Sequence, residues 1–469
     1  MNEPRTVTGR RGTDRGLSGL GLVMQLVGGV MTAITAGYLA MFVVAMLGSN
    51  GSGDGGMLLW LLLVLAVSLA RAVAHKQAGD RLVFGGAGTP ASALGRYLGL
   101  AVAQIAVVAV LLLTHDGRGE WLLFAAMVLG AWPLTLLLVA RPILDEVGGE
   151  VPPTADGGLD GLSILLLVLG AIGVGVGAIM LLGWLEIPAK AKSGLMGISL
   201  LIAVVLLSLR SIVHLRAGVR GTTGEDATQT LDAADRYANV GVTAGLVASG
   251  LFIVTVVNEM PAGASTAVML MLVMGAMVAA LLLVWPVAVR RFVRDRQLTA
   301  LGGNRPLRAR AADRGLPTLG WLLLALGVYA LSSGLVTLLV GHDLAAGRRG
   351  GDDPLAVLGG MSGNMSKTSL WLGVAVAGLQ TWAGLALIHM KPHYRQAGMA
   401  YGFAASAVAL YTYLPALDAL TRQSVAVVGN PLGIAGLAMV ATALVIPVAT
   451  LVLVQRKLVD PDAVADTFT

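Results

Sequence analysis

Apolar residues along this chain run in blocks of about twenty or more, and the polar positions between them are short and rich in Gly, Ser, Asp and Pro. The stretches Leu162 to Leu182 and Gly263 to Val289 contain no charged residue. A helix needs about 20 consecutive apolar residues to cross roughly 30 Å of hydrocarbon, and both stretches meet that length. Taken in order, the blocks predict twelve helices near 17–47, 57–74, 94–114, 121–140, 161–183, 194–213, 237–257, 265–290, 316–340, 369–389, 400–417 and 432–455. The first block follows Arg5, Arg10, Arg11 and Arg15. It is too long for a signal-peptide core and closes on no small-residue cleavage site, so a retained helix is expected.

Composition sharpens the solvent argument. Of 469 residues, 56% are hydrophobic and 12% charged, with a mean hydropathy of +0.81. Soluble domains carry about 25% charged residues, so this chain lacks the polar surface to cover a water-soluble body of its size. The 63 glycines suit membrane helices, where small residues let backbones approach closely. With no cysteine, disulfides, thiolate catalysis and cysteine-ligated metals are excluded.

Orientation follows from the basic residues. With the N-terminus cytoplasmic, 25 of the 32 Lys and Arg fall on cytoplasmic segments and 7 on outer ones, the positive-inside pattern. N- and C-termini are therefore both expected in the cytoplasm. The densest cluster is Arg290, Arg291, Arg294, Arg296, Arg305, Arg308, Arg310 and Arg314. The net charge of +6 reads as topology determinants facing anionic lipid, with no nucleic-acid partner. Trp121, Trp184 and Trp371 fall at expected outer ends, as an aromatic belt requires. A composition rich in Ala, Gly, Leu, Val and Arg points to a high-GC bacterium, hence its plasma membrane.

Three landmarks recur in order and predict tandem repeats at 1–150, 151–300 and 301–469. The first opens each repeat: Asp14-Arg15-Gly16-Leu17-Ser18, Asp160-Gly161-Leu162-Ser163, and Asp313-Arg314-Gly315-Leu316-Pro317. The second is expected where the second helix exits: Arg71-x-x-x-His75-x-x-Ala78-Gly79, Arg210-x-x-x-His214-x-x-Ala217-Gly218, and in reduced form Arg395-Gln396-Ala397-Gly398 with His393 displaced. Arg96-Tyr97 and Arg236-Tyr237 then open the third helices, with Tyr401 in the last repeat. The third landmark is a proline late in each fourth helix, Pro133, Pro286 and Pro447. Proline frees the carbonyl four residues earlier, at Leu129, Leu282 and Ala443, and should kink each helix. An even number of spans per repeat makes the repeats parallel. The expected fold is an all-α integral membrane bundle of twelve transmembrane helices, three tandem parallel four-helix repeats about a pseudo-threefold axis.

Residues that could carry chemistry are few. Arg71 with His75, and Arg210 with His214, share a helix face at i,i+4. With Arg96 and Arg236 they form candidate sites for an anionic headgroup or phosphate; the plainer alternative is snorkelling anchors. Three groups of four helices resemble, in arrangement, the catalytic subunit of haem–copper oxidases. That family's ligands are histidines inside spans. Here His75, His214, His389 and His393 are read at cytoplasmic ends and His115 and His342 outside, so the resemblance does not extend to the chemistry and no cofactor is expected. All 26 Asp and Glu fall in expected loops or within a turn of a span end, with Glu186, Glu259 and Asp418 closest, against charge-coupled transport. Gln25, Gln104, Gln380 and Thr381 are read as interhelical hydrogen bonds. Gly173-x-x-x-Gly177 and Gly241-x-x-x-Gly245 are read as internal packing. The Gly-rich stretches at 221–224 and 341–367 lack the Lys-Ser/Thr of a phosphate loop.

No nucleophile–base set and no metal-ligand spacing emerges. The function expected is therefore a non-catalytic structural or interaction subunit in contact with membrane lipid and open to a membrane-protein partner. The alternatives are a transporter or lipid-handling protein for an uncharged or apolar substrate, and an enzyme acting on lipid at the inner leaflet.

Overall fold

Charges that end an apolar block do not end the helix built on it. The computed structural model describes residues 15–48, 55–85, 88–115, 119–149, 151, 156, 158–186, 194–224, 226–258, 265–302, 314–346, 367–422 and 431–455. Asp14, Asp313, Glu259, Arg305, Arg308, Arg310 and the loop at 347–366 lie outside them, as do the side chains of Trp121, Glu186 and Asp418. Among the described residues the chain forms twelve long helices. They are α1 (Leu17–Gly48), α2 (Gly55–Phe84), α3 (Pro90–His115), α4 (Gly119–Thr135, continued by Leu136–Ala140 and Arg141–Glu146), α5 (Leu159–Glu186), α6 (Leu195–Thr223), α7 (Ala227–Asn258), α8 (Ser265–Gly302), α9 (Leu316–Ala346), α10 (Lys367–Ile388), α11 (Tyr394–Arg422) and α12 (Pro431–Gln455). Ten of these, α1 to α10, are long and apolar enough to cross a membrane, and α12 adds the apolar stretch Val440–Gln455. The protein is a multi-pass membrane protein.

Each predicted block matches one helix to within a residue, but several helices run further than predicted. α2 continues ten residues past 74, and α6, α7 and α8 each extend about ten residues beyond a predicted end. Hydropathy reports contact with hydrocarbon, whereas a helix persists wherever its sides stay packed and its charges pair. Asp80 shows this at the end of α2. Its carboxylate pairs with Lys76 one turn back (3.5 Å) and with Arg291 of α8 (3.2 Å). Arg296 of α8 donates to the Val83 carbonyl at 3.0 Å. The extension changes one expectation: Arg71 and Arg210, read as lying at helix exits, fall in the middle of α2 and α6.

Packing has the same order in α1–α4, α5–α8 and α9–α12. In each group the first helix packs on the second, the second on the third and the third on the fourth. The contacts between groups run in a ring: α1 against α8, α5 against α12, and α9 against α4. Small residues make the closest approaches. A Cβ on Gly79 would stand 2.6 Å from the Gly21 carbonyl oxygen, and one on Gly384 would stand 2.8 Å from that of Gly320. Gly218 meets the backbone of Leu167 in the same way. Gly173 and Gly177 accept Ser211 and Ser208 of α6, and Gly241 and Gly245 of α7 pack against Pro286, Leu282 and Leu283 of α8, so both small-residue motifs pack internally.

The starts of α1, α5 and α9 meet. Arg15-Gly16 and Arg314-Gly315 share one left-handed turn, with φ of 47° and 73° in the first and 48° and 71° in the second, and Gly158 has φ 82° before α5. Side chains are strained there, which glycine avoids. Gly16 abuts Pro317, Gly315 abuts Asp160 and Gly158 abuts Ser18, again a ring. One turn further in, the Thr318 side chain fills the space between Gly19 and Gly161 and is 2% exposed. Leu22, Leu165 and Leu323, fully buried, continue the core. This end carries most of the described Arg and Lys and is called the basic end below.

Two landmarks sit elsewhere than expected. The turn opening α5 is Gly158-Leu159, behind Asp156, whose carboxylate accepts the Asp160 N–H at 3.0 Å; Asp160-Gly161-Leu162-Ser163 lies within the helix. Arg395-Gln396-Ala397-Gly398 belongs to the first turns of α11, not to the exit of α10. The stretch in contact with α9 is Ala383-Gly384. Short runs of small residues recur by chance; the equivalent one is the one that must admit a neighbouring backbone.

Candidate functional site

Arg71 lies sixteen residues into α2, and Arg210 fifteen into α6. The residues before them, 55–70 and 195–209, carry no charge. Each is the first charge met on its helix from the apolar end, and each is half-buried. A guanidinium has five N–H donors and no acceptor, so in a dry interior it must find oxygen atoms. Arg71 Nη1 donates to Gln104 Oε1 of α3 at 2.5 Å. Its Nη2 donates to the Leu129 carbonyl of α4 at 2.9 Å and reaches the Tyr97 hydroxyl at 3.4 Å. Gln104 Nε2 in turn donates to Ser68 Oγ at 2.6 Å.

Leu129 is the residue whose carbonyl Pro133 leaves without its helical donor. Arg71 supplies that donor across the bundle. Just beyond the proline, α4 loosens into a π-helical turn at Leu136–Ala140, a common accommodation at such a defect. α8 passes Pro286 and α12 passes Pro447 as continuous α-helix.

One turn from Arg71 towards the basic end, buried His75 faces α4. Trp132 Nε1 donates to His75 Nε2 at 2.9 Å. The same pair forms in the next four helices, where Trp285 Nε1 donates to His214 Nε2 at 3.0 Å. A nitrogen that accepts carries no proton, so each ring is held with Nε2 unprotonated. Tyr97 is tilted against His75 at 4.8 Å between centroids, and Tyr237 stacks on His214 at 4.0 Å. Arg210 lies beside Tyr237 and His214, as Arg71 lies beside Tyr97 and His75. Replacing Trp132 by phenylalanine strands the accepting nitrogen. The expected cost is about 0.6–2 kcal/mol, measured as a fall in unfolding midpoint in detergent; an unchanged midpoint would remove the pair from the forces holding α2 to α4.

The third group of helices lacks this chemistry. Gly79, Gly218 and Gly384 occupy matching contacts with α1, α5 and α9. Four residues before Gly384 stands Gln380, where the other two helices have histidine, and eight before it stands Val376, where they have arginine. Before Pro447 stands Ile446 in place of tryptophan. The tryptophan donor and the histidine acceptor are thus both replaced. His393 stacks instead on Trp382, 5.7 Å between centroids. His389, just past α10, has its pKa lowered by partial burial and by Arg15 and Lys391 nearby.

Arg71 and His75 are brought together, and so are Arg210 and His214. Arg96 and Arg236 are exposed and take no part in either cluster; their neighbours Tyr97 and Tyr237 turn inward. Of the neutral polar candidates, Gln104 alone makes an interhelical side-chain hydrogen bond among the described residues, while Thr381 bonds within its own helix to Ala377 and Gln25 Nε2 is buried without a partner. The sequence signal for the full set was present, since Arg-x-x-x-His, Arg-Tyr and Trp-Pro recur together in the first two groups. No group of three His, Asp or Glu among the described residues could hold a metal ion. No protein-family model, no curated protein and no solved structure matches this chain.

Proposed function

We propose that this protein is a non-catalytic scaffold of a bacterial plasma membrane, built of three tandem parallel four-helix repeats about a pseudo-threefold axis, with both termini cytoplasmic. Its role is to organise surrounding lipid or a membrane-protein partner. The observation that carries this reading is the closure of Arg71, His75 and His214 on protein partners. Arg71 is taken by Gln104, Leu129 and Tyr97, and each buried histidine by a tryptophan. A catalytic or transport site needs polar groups left available to a substrate. The ring of contacts α1–α8, α5–α12 and α9–α4 supports the threefold arrangement. The kinks proposed at Pro133, Pro286 and Pro447 would set where the fourth helices bend around it. A transporter for an apolar substrate is the second reading; the packing of Thr318 between Gly19 and Gly161 argues against a path along the axis at the basic end.

The chain has no cysteine, so introduced pairs report without background. A Cβ on Gly175 stands 3.5 Å from Ala441 Cβ, and one on Gly29 stands 3.6 Å from Val284 Cβ, both within disulfide range. Oxidation is expected to cross-link G175C/A441C and G29C/V284C within one chain, read by gel mobility after cleavage of an engineered loop site. Failure of both would end the ring arrangement. Single cysteines at the two bundle ends, labelled in cells with an impermeant maleimide, test orientation.

A further inference from the structure

We infer that the first half of α4, residues 119–131, is a gate. It swings about a hinge formed by Pro133 and the wide turn Leu136–Ala140, and the hydrogen bond from Arg71 to the Leu129 carbonyl is its latch. The inference goes beyond the scaffold reading and does not rest on the ring arrangement, because hinge, gate and latch all belong to α2, α3 and α4.

The hinge follows from the spacing of buried side chains. Trp132, Leu136, Ala140 and Leu144 are all buried, four residues apart each time. In an α-helix a step of four residues turns about 40° past a full circle, so such a stripe winds away from the core unless a wider turn takes up the drift. The Arg141 N–H donates to the Leu136 carbonyl, five residues back, which puts one residue more in that turn than an α-helix holds. α8 has no such need. Trp285, Val289, Phe292 and Val293 are buried there, Gln297, which stands where α4 has Leu144, is exposed, and the helix is α throughout. Among the fourth helices α4 alone thus combines a proline, which removes a helical bond, with a π-helical turn just beyond it. Leu134, Leu137 and Leu138 are exposed, so one side of the hinge is free of packed neighbours.

The two halves of α4 are held differently. From Trp132 onward the helix is built into the core at the basic end, where Leu136, Ala140, Ile143 and Leu144 join Leu94, Tyr97 and Trp321. Of the side chains described at 122–131, Ala125 alone is buried. The glycine contacts agree. A Cβ on Gly241 would stand 2.8 Å from Pro286, and one on Gly275 would stand 2.7 Å from Ile253, so α7 and α8 are close-packed both at the proline and well before it. A Cβ on Gly130 of α4 would meet only Ile105 of α3, at an ordinary 3.6 Å.

With packing this light, the Leu129 bond sets the closed position. It is the one hydrogen bond that 119–131 makes to another helix among the described residues. Pro133 leaves that carbonyl without a helical donor, so the bond from Arg71 can break without unwinding α4. Arg71 keeps its place meanwhile, because Gln104 and Tyr97 hold the guanidinium and Gln104 is itself bonded to Ser68. An open gate uncovers these polar groups of α2 and α3, and a closed one covers them.

The experiment is electron–electron double resonance on the purified full chain in nanodiscs, with spin labels on cysteines introduced at Leu63 of α2 and Ala126 of α4, both exposed. This pair is expected to give two distances. The corresponding pair on α6 and α8, at exposed Ile202 and Leu272, should give one. Arg71→Ala should raise the open-to-closed ratio about tenfold or more, the worth of a hydrogen bond to a charged group. Arg71→Lys, which keeps a donor, should recover part of the closed population. Deleting Leu138 takes the extra residue out of the wide turn and should leave only the closed distance. Deleting exposed Val287 of α8 instead turns Val289, Phe292 and Val293 away from the core and should lower the unfolding midpoint. A single narrow distance both before and after Arg71→Ala, two distances unchanged by deletion of Leu138, or an equal spread in the α6–α8 pair overturns the inference. The comparison of the two label pairs needs no variant beyond the labels themselves.

Discussion

Substituting valine for Gly218 is expected to destabilise the protein by about 3 kcal/mol or more, at the upper end of what overpacking costs. The new Cβ would run into the Leu167 amide and the Leu166 carbonyl carbon of α5. These are backbone atoms, which have no rotamer to escape into, so α5 and α6 must separate along their closest seam. Gly79→Val and Gly384→Val should behave alike, because each glycine meets the backbone of a first helix, at 2.6–2.8 Å from a carbonyl oxygen or amide nitrogen. Gly99 and Gly250, with nothing within 4 Å of an added Cβ, provide the comparison, and valine there should be tolerated. The measurement is the unfolding midpoint in detergent, followed by tryptophan fluorescence. Equal midpoints for Gly218→Val and Gly250→Val would mean that helix contact does not depend on these approaches.

The second large effect is a coupling. Arg71→Ala leaves the Leu129 carbonyl without a donor in a region where water is scarce, and such groups cost several kcal/mol in hydrocarbon. It also strands Gln104 Oε1. Pro133→Ala restores an N–H that can close the Leu129 bond within α4. The double variant Arg71→Ala/Pro133→Ala should therefore be more stable than the sum of the single losses predicts, by about 1–2 kcal/mol, within the range found for directly interacting groups. A double-mutant cycle on thermal or denaturant unfolding reads this directly. Additive losses would mean that Arg71 does not serve the proline-freed carbonyl.

How much of this was legible beforehand is clearest at the site itself. The sequence places Arg71 and His75 on one helix face through i,i+4 spacing, and it names Leu129 as the carbonyl that proline frees. It also pairs Arg96 with them, and there the residue next in the chain takes the place. Neighbours on a helix point about 100° apart, so choosing Tyr97 over Arg96 depends on the rotation of α3, which the burial of Ala93, Leu94 and Ala101 sets. The depth of Arg71 was misread for a different reason: Lys76, Asp80 and Arg81 look like the end of a span, and nothing local shows that Arg291, more than two hundred residues later, pairs with Asp80. The third group of helices was hardest to align with the other two. Its Gln380 and Ile446 preserve no motif, only a position, and that position becomes visible once Gly384 is seen against Gly320.

Solvent and segmentation were decided by the sequence alone: long uncharged blocks can be stable only in hydrocarbon, and each block matches one helix because, without water, every backbone group must bond within its own segment. Glycine and proline likewise announced, from the chain, where backbones could approach and where a carbonyl would go unpaired. Which backbone approaches, and which arginine answers that carbonyl, was decided only by tertiary structure. These partners are 58 residues apart for Arg71 and Leu129 and further for α5 and α12, and hydrophobic burial in a membrane does not choose among apolar neighbours. Close packing and the pairing of polar groups make that choice, and both are properties of helices already assembled.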